Sequence, residues 1–458
     1  MVDAPLNIVV LAAGQGKRMC SQKSKVLHEI AGRSMLAHVL ASARSLLPNK
    51  LIVVHGFDGD RVKAEISEDD VIWVEQRERL GTGHAVLQAV PYLEGGITLI
   101  LYGDVPFISG RTLKNLVQLC DGDQMSLLTA IINDPAGYGR IVRGFDGKVS
   151  QIVEHKDANA QILEIKEVNT GFMAIPTCRL KEWLGKLNCN NSQGEYYLTD
   201  IIAMASQSGL GIGTMHPSDL IEITGVNDKV QLAQLEREYQ EKNAFALMES
   251  GVQLADPNRI DVRGTLVCGK DVYIDVNCVF EGEVRLGDGV RVGPFNLIKD
   301  ATILDNTRIE PHCHLVKCFI GKDAVVGPYA RLRPNTQIED SVRIGNFVEV
   351  KASHIGLGSK VNHLSYIGDA EIGEGVNVGA GTVTCNYDGV NKHKTVIQDK
   401  AFIGSGTMLV APVQVGSGAT VGAGSTITDS VEAGDLAIAR SRQINIAHWE
   451  SPFARKKQ

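Results

Sequence analysis

The 458-residue sequence predicts an α/β plus β chain: an α/β domain, a helical connector and a parallel β-helix. Two observations predict it. In the first half, short β-branched runs alternate with helical stretches. In the second, from Ile320 to Ile427, an aliphatic residue recurs every sixth position. That period fits neither an amphipathic helix nor an alternating strand.

A six-residue aliphatic period is the signature of stacked hexapeptides. Ile320, Val326, Leu332, Ile338, Ile344 and Val350 keep it, and after a five-residue slip so do Ile355, Val361 and Ile367. A second slip gives Ile372 and Val378. After a polar insertion, Ile397, Ile403, Leu409, Val415, Val421 and Ile427 resume the period. Each hexapeptide makes one flat side, three make a triangular coil, and the aliphatic residue points inward. One coil cannot bury its own apolar face, so the coils stack. Glycines after the aliphatic position, such as Gly321, Gly345 and Gly404, suit places where a side chain would crowd the backbone. Residues eighteen apart then lie one rung apart, about 4.8 Å. Arg333 and Lys351 are so spaced and form a stacked cationic pair. With slips and insertion discounted, His363, Ala380, Ser405 and Ala423 line one edge. That edge is a base followed by small residues, a strip open to a long, thin ligand.

Composition narrows the function. A net charge of −7 gives no support for nucleic-acid binding. Nine cysteines, an odd number without paired spacing, read as reduced thiols of a cytoplasmic protein. His312, Cys313, His314 and Cys318 fall inside the repeats and read as buried or corner residues rather than a zinc site. The apolar run Ile8 to Ala13 is short and lacks a basic leader, so no signal peptide is expected. No stretch is long enough to span a bilayer.

In the first domain, strand Asn7 to Leu11 runs into Ala12-Ala13-Gly14-Gln15-Gly16-Lys17-Arg18-Met19. Glycines there let backbone N–H groups cradle phosphates, with Arg18 adding charge; an ordinary strand-to-helix turn has the same look. A helix near Met35 to Leu47, strands Leu51 to His55 and Val71 to Val74, a helix His84 to Tyr92 and a strand Ile97 to Leu101 follow. Ligands of such mainly parallel sheets collect at the carboxyl ends of strands. Gln76, Gly81 and Thr82 follow one strand end; Tyr102, Gly103 and Asp104 follow another. An Asp there is either a turn cap or a magnesium-binding carboxylate for a nucleoside triphosphate.

The motifs Leu11-Ala-Ala-Gly-x-Gly-x-Arg-Met19, Lys25-Val-Leu-His28, Leu80-Gly-Thr-Gly-His-Ala85 and Tyr102-Gly-Asp-Val-Pro106 resemble the sugar-phosphate nucleotidyltransferase (pyrophosphorylase) family. Gly137-Tyr-Gly-Arg140, Val153-Glu-His-Lys156 and Glu167-Val-Asn-Thr-Gly171 extend the match. With the hexapeptides, nearly the whole chain resembles bifunctional N-acetylglucosamine-1-phosphate uridyltransferases/glucosamine-1-phosphate acetyltransferases. Two departures, Lys17 for the usual Thr and Ser24 for the usual Pro, fall on the phosphate loop.

The resemblance implies a Rossmann-like nucleotidyltransferase domain over 1–227, a helical linker over 228–250 and a left-handed β-helix acetyltransferase domain over 251–458. Leu11, Ala12, Ala13, Gly14, Gln76, Gly81 and Thr82 would hold uracil and ribose, beside Tyr102 and Gly103. Arg18 and Lys25 would meet the triphosphate as catalytic cations. Gly139, Glu154 and Asn169 would hold the sugar, and Asp104 and Asn227 would ligate Mg2+. UTP and acetyl-CoA would be co-substrates. In the β-helix, Arg333, Lys351, Tyr366 and Asn377 would bind the amino-sugar phosphate. Ala380, Asn386, Tyr387, Ser405, Ala423 and Arg440 would bind acetyl-CoA, and His363 would be the general base. The family is trimeric and cytoplasmic, with neither nucleic acid nor membrane insertion implied.

Independently, Asn227 is expected to cap a connector helix striped by Leu232, Leu235 and Tyr239, with the hexapeptides starting near Ile260. The insertion Cys385 to Lys394 reads as a projecting, ligand-binding loop. An imidazole with a pKa near ~6.5 suits deprotonation of an amino sugar. Glu349 is a candidate to orient it, although the repeat count does not place the two together. Arg333 and Lys351 fall in a different column from His363, so a site using both wraps a corner or lies between chains. Two other readings stand beside the bifunctional one: a uridyltransferase whose β-helix only oligomerises or regulates, and a non-catalytic sugar-nucleotide sensor. Both fit poorly with the presence of His363, Asn386-Tyr387, Asp104 and Asn227.

Overall fold

The computed structural model describes residues 4–453. The segment Gln443 to Gln458, beyond the last repeat, is expected to be an arm or solvated tail; its end, with Arg455, Lys456 and Lys457, lies outside the described residues. The chain divides into two compact units, Met1–Tyr239 and Gln240–Gln458.

The first unit is built on one sheet. Its strands are β1 (Leu6–Ala12), β2 (Lys50–His55), β3 (Val71–Glu75), β4 (Ile97–Tyr102), β5 (Gln124–Ile131), β6 (Arg140–Arg143), β7 (Val149–Val153), β8 (Glu167–Pro176) and β9 (Gly211–Met215). The order is β9-β5-β8-β4-β1-β2-β3, with β6 and β7 added beside β8. β8 alone on that path runs antiparallel to its neighbours. The β-branched runs are buried on both faces, as a central parallel sheet requires. Val10, Val53 and Leu101 serve the core on one face, and Val9, Ile52 and Ile100 the core on the other. β1, β2, β3 and β4 all end on one side, so the loops after them gather there.

The second unit is a parallel β-helix. One ladder pairs Val326, Ile344, Val361, Val378, Ile403 and Val421 in register. A second runs through Ile320, Ile338, Ile355, Ile372, Ile397 and Val415. A third pairs Leu332, Val350 and Ile367, then Thr384, Leu409 and Ile427. All these aliphatic residues are buried, so the expected knobs are the core. The pairing begins earlier than Ile260, at Gln253–Leu254. The glycines after the knobs answer to crowding: a Cβ on Gly321 would lie 2.5 Å from Asp340 Oδ1 in the next coil.

Left-handed backbone falls at other corners, mostly on non-glycine residues. Phe295, His312, Tyr329 and Phe347 all have φ between 55° and 63° and stack ring on ring at 4.9, 4.8 and 5.3 Å. His312 is thus a corner residue, and Cys313 is buried with its thiol on Glu310 O at 3.3 Å. Among the described residues no three His, Cys, Asp or Glu side chains are grouped to hold a metal ion, and no helix is long and apolar enough to cross a membrane.

The connector is the helix Lys229–Glu249. Its cap is Asp228, whose Oδ1 accepts from Gln231 N at 2.9 Å, rather than Asn227. Asn227 instead donates its backbone N–H to Gln231 Oε1 at 2.7 Å, which leaves its side chain free for Lys25. Leu232, Leu235 and Tyr239 pack with Met19, Ile30 and Met35 of the first unit. Ala244 and Leu247 belong to the β-helix core.

Candidate functional site

The loops after β1, β3 and β4 enclose a cavity of about 290 Å3 in the first unit. Leu11, Ala12, Ala13, Gly14, Lys25, Gln76, Gly81, Thr82, Tyr102 and Asp104 line it, as the sequence predicts. Gly103 sits beneath, its N–H on Leu11 O at 2.9 Å. Gln76 is buried and fixed by bonds to Gly81 O and His84 Nδ1, both 3.1 Å. Gly16 takes φ +61°, and a Cβ there would lie 2.7 Å from Lys25 Cβ; glycine lets the loop after β1 and Lys25 meet. Arg18 is exposed on the 3-10 turn Lys17–Met19 and is not on the cavity wall.

Lys25 organises the acidic end. Its ammonium is ion-paired with Asp104 Oδ2 and lies 3.1 Å from Asn227 Oδ1. A single cation therefore reaches both oxygens. One carboxylate and one amide oxygen, with room for phosphate oxygens and water, are the hard donors that Mg2+ takes, so the residues fit that ion. Asn227 is held near Asp104 by the bond from Val226 N to Asp104 O, 3.1 Å.

Gly139, Glu154 and Asn169 come together beside this cavity. Asn169 N donates to Gly139 O at 2.9 Å, and a Cβ on Gly139 would lie 3.5 Å from both Glu154 carboxylate oxygens. Burial pushes the Glu154 carboxyl up, with Asp157 and Asp200 adding to it, while Thr199 Oγ1, donating at 2.9 Å, opposes the shift. Burial also raises the Tyr102 hydroxyl, helped by the Glu154 and Asp104 charges, which ties this cluster to the cavity.

In the β-helix, His363 is exposed, and its register partner is Asn346. Val361, Val378, Ile403 and Val421 pair in turn, so Ala380, Ser405 and Ala423 continue the His363 edge as expected. Gly381 N, Gly406 N and Gly424 N bond to His363 O, Ala380 O and Ser405 O. Arg440 joins the edge through Nη1 to Ala423 O at 2.6 Å. Glu349 does not orient the histidine. It accepts from Arg333 at 3.0 Å and Arg331 at 3.5 Å, one face away. His363 Nδ1 is instead 2.7 Å from Asn346 Oδ1. An amide oxygen only accepts, so this contact selects the tautomer of the neutral ring with its proton on Nδ1 and its lone pair on Nε2.

The cationic column is present and compensated. Arg333 bonds Glu349, and Lys351 Nζ is 3.8 Å from Asp369. Tyr366 pairs with Glu349 in this ladder, whereas Asn377 pairs with Lys360 and Phe402 in the His363 ladder. Asn386, buried, donates to Asp369. Exposed Tyr387 donates to Gly389 O at 2.5 Å. The Asp388 carboxylate closes this insertion on Val390 N, Asn391 N and His393 Nε2 at 2.8, 2.6 and 2.7 Å. Lys392 from the same loop lies beside Lys351, whose ammonium lowers its pKa.

Several of these residues escaped the sequence reading. Asn346 had a signal, because it sits two positions after Ile344 in the His363 column. Lys392 lay inside the insertion already singled out. Arg79 and Glu195 on the cavity wall, and Thr199 on Glu154, carried none.

The chain matches the MobA-like NTP transferase domain over residues 8–155 and the bacterial transferase hexapeptide, six repeats, over 317–352 and 394–429. Three curated relatives bear the name Bifunctional protein GlmU. The one from Ralstonia pickettii is 53% identical over 99% of this chain and 100% of its own length. The one from Chromobacterium violaceum is 54% identical over 98% of each chain. The one from Bordetella parapertussis is 55% identical over 98% of this chain and 99% of its own. With both transferase domains on one polypeptide, the chain belongs to the GlmU family of bifunctional proteins.

Proposed function

We propose that the chain makes UDP-N-acetylglucosamine for bacterial envelope polymers, peptidoglycan and lipopolysaccharide, by two transfers. The β-helix, assigned residues 251–458, moves acetyl from acetyl-CoA to glucosamine 1-phosphate. The α/β domain, assigned 1–227, moves uridylyl from UTP to N-acetylglucosamine 1-phosphate and releases pyrophosphate. The helix over 228–250 connects them. One observation carries the reading: two differently built sites, Asp104–Lys25–Asn227 at a cavity and Asn346–His363 on a strip of small residues, occur in one chain.

In the acetyl transfer, the substrate amine gives its proton to His363 Nε2 and attacks the thioester carbonyl carbon. The C–S bond breaks, the leaving thiolate takes the proton from His363 Nε2, and CoA departs as the thiol. Asn346 keeps Nδ1 protonated and the ring oriented. Arg333, Lys351, Tyr366 and Asn377 bind the amino-sugar phosphate. Ala380, Ser405 and Ala423 leave the strip open for acetyl-CoA, with Asn386, Tyr387 and Arg440 beside it. In the uridylyl transfer, a sugar phosphate oxygen attacks the α-phosphorus of UTP and pyrophosphate leaves. The nucleophile is already an anion, so the task is alignment and charge offset rather than base catalysis. Asp104 and Asn227 would hold Mg2+, which when bound neutralises phosphate charge. Lys25 and Arg18 supply the protein's own cations, and Gln76, Gly81 and Thr82 orient the uridine. Gly139, Glu154 and Asn169 take the sugar.

We further propose a homotrimer with acetyl-transfer sites completed between neighbouring β-helices. The separate ladders of Lys351 and His363 support this, as do the exposed Tyr329, Phe347 and Leu364 along one corner. Exposed free thiols at Cys20, Cys178 and Cys189 support a cytoplasmic location. The test supplies purified protein with glucosamine 1-phosphate, acetyl-CoA, UTP and Mg2+, and follows free thiol and pyrophosphate separately. Thiol without pyrophosphate, or the reverse, removes one of the two activities from the reading.

A further inference from the structure

We infer that Arg79 is a phosphate-binding residue of the nucleotide site, held by Gln15 until a triphosphate takes it; this rests on the nucleotidyl-transfer reading above. Arg79 lies in the loop after β3, between Gln76 and Gly81, and its exposed side chain lines the cavity. Nη1 donates to Gln15 Oε1 at 3.0 Å. The guanidinium carbon is 5.8 Å from the Phe57 ring centroid. Gln15 belongs to the loop after β1 and Phe57 to the turn after β2. Arg79 therefore bridges the loops at the carboxyl ends of three neighbouring strands, β1, β2 and β3.

Charge gives this arrangement its direction. Two cations line the cavity, Lys25 and Arg79. Lys25 is committed to Asp104 and Asn227. Among the described residues, Arg79 is bonded to a neutral amide and to no carboxylate. An aromatic face holds a guanidinium in place without neutralising it. A phosphate oxygen is a much stronger acceptor than an amide oxygen, and the planar guanidinium fork meets phosphate with two parallel bonds. Gln15 sits between Gly14 and Gly16 in the phosphate loop itself. A triphosphate laid along that loop thus arrives next to the guanidinium and displaces the weaker Gln15 bond.

The test is steady-state pyrophosphate release at varied UTP, with sugar phosphate and Mg2+ saturating, for the full chain and three variants. Arg79→Gln is expected to raise the KM for UTP about 10-fold, the size of one charge-assisted bond, with kcat changed by less than about 3-fold. Arg79→Lys is expected to recover part of that loss, and added salt to shrink it. Gln15→Ala takes away the side-chain acceptor that competes with phosphate for Arg79 and is expected to lower the KM for UTP. An unchanged KM in Arg79→Gln overturns the inference. So does a Gln15→Ala variant with the same rise, which would make the loop-to-loop bond itself the active feature. A wild-type chain inert toward UTP while still acetylating overturns the nucleotidyl reading as well, and the two failures are thereby distinct.

Discussion

The two units treat buried polar groups differently. In the β-helix, hydroxyls that point inward find carbonyls at fixed offsets: Thr307 bonds Gly321 O at 2.7 Å, Ser359 bonds Gly373 O at 2.7 Å and Thr407 bonds Gly404 O at 2.6 Å. Among the described residues of that unit, only Thr395 Oγ1 is buried without a partner. In the α/β unit, Ser24 Oγ, His28 Nε2, both ring nitrogens of His55, Arg140 Nε and His155 Nδ1 are all buried and unpaired. A repeat solves its hydrogen bonding once and copies the solution to each coil. An α/β domain solves each loop separately, and several of its unsolved groups adjoin candidate site residues in sequence: Ser24 and His28 flank Lys25, Arg140 follows Gly139 and His155 follows Glu154.

The largest effect tests whether the β-helix carries His363 for chemistry or for folding. Positions one to three coils further along the same edge are Ala380, Ser405 and Ala423, so the fold accepts a small residue there. His363→Ala is expected to lower acetyl transfer ~10² to 10⁴-fold while uridylyl transfer is retained. The residual rate should climb with pH as more substrate amine is neutral unaided. A folded mutant acetylating normally at neutral pH would show that another group takes the proton.

Next in size is the matching cut in the other unit. Asp104→Ala removes the carboxylate from the Lys25–Asn227 cluster. It is expected to cost ~10² to 10³-fold in pyrophosphate release, several kcal/mol of charge stabilisation, with acetyl transfer nearly intact. Equal loss of both activities in folded protein contradicts independent sites.

A smaller effect concerns acid. Burial holds the pKa of His55 below its ordinary 6.5; Lys63 lowers it further, and Glu75 and Asp60 oppose this. The unfolded chain therefore takes up a proton at a higher pH than the folded one. Stability from this group is full above 6.5 and is lost as pH falls through 6.5 toward the lower folded value. Trp73, 6.2 Å from His55, offers the signal. Its emission should report a urea midpoint that falls between pH 7.5 and 5.5. His55→Gln should flatten that slope by no more than about 1.4 kcal/mol per pH unit. The same slope in the variant would assign it to His28 and His38, whose pKa values burial also lowers.

The smallest effect is at Ser24. Its hydroxyl is fully buried with nothing to bond, so Ser24→Ala should stabilise the α/β unit by up to ~1 kcal/mol. Destabilisation in thermal melts would reveal a partner, such as an ordered water, for that oxygen.

The β-helix was determined by its sequence alone, down to which residues share a rung, because a fixed period converts residue number into position. Ile338 lands on Ile320, and Ser405 lands on the His363 edge, by counting. The count did not place Glu349 beside His363, although the sequence made it the candidate to orient the ring; Asn346, two positions after Ile344, holds that place. The α/β site was legible as motifs at strand ends, and Leu11–Gly14, Gln76 and Asp104 do line one cavity. Its completion was decided only by the tertiary structure. Asn227 reaches Lys25 across 202 residues and Thr199 reaches Glu154 across 45. Arg79 meets Gln15 through side chains that no periodicity relates. Such contacts follow from how independent loops close over a sheet, and loop closure depends on packing that local sequence does not encode.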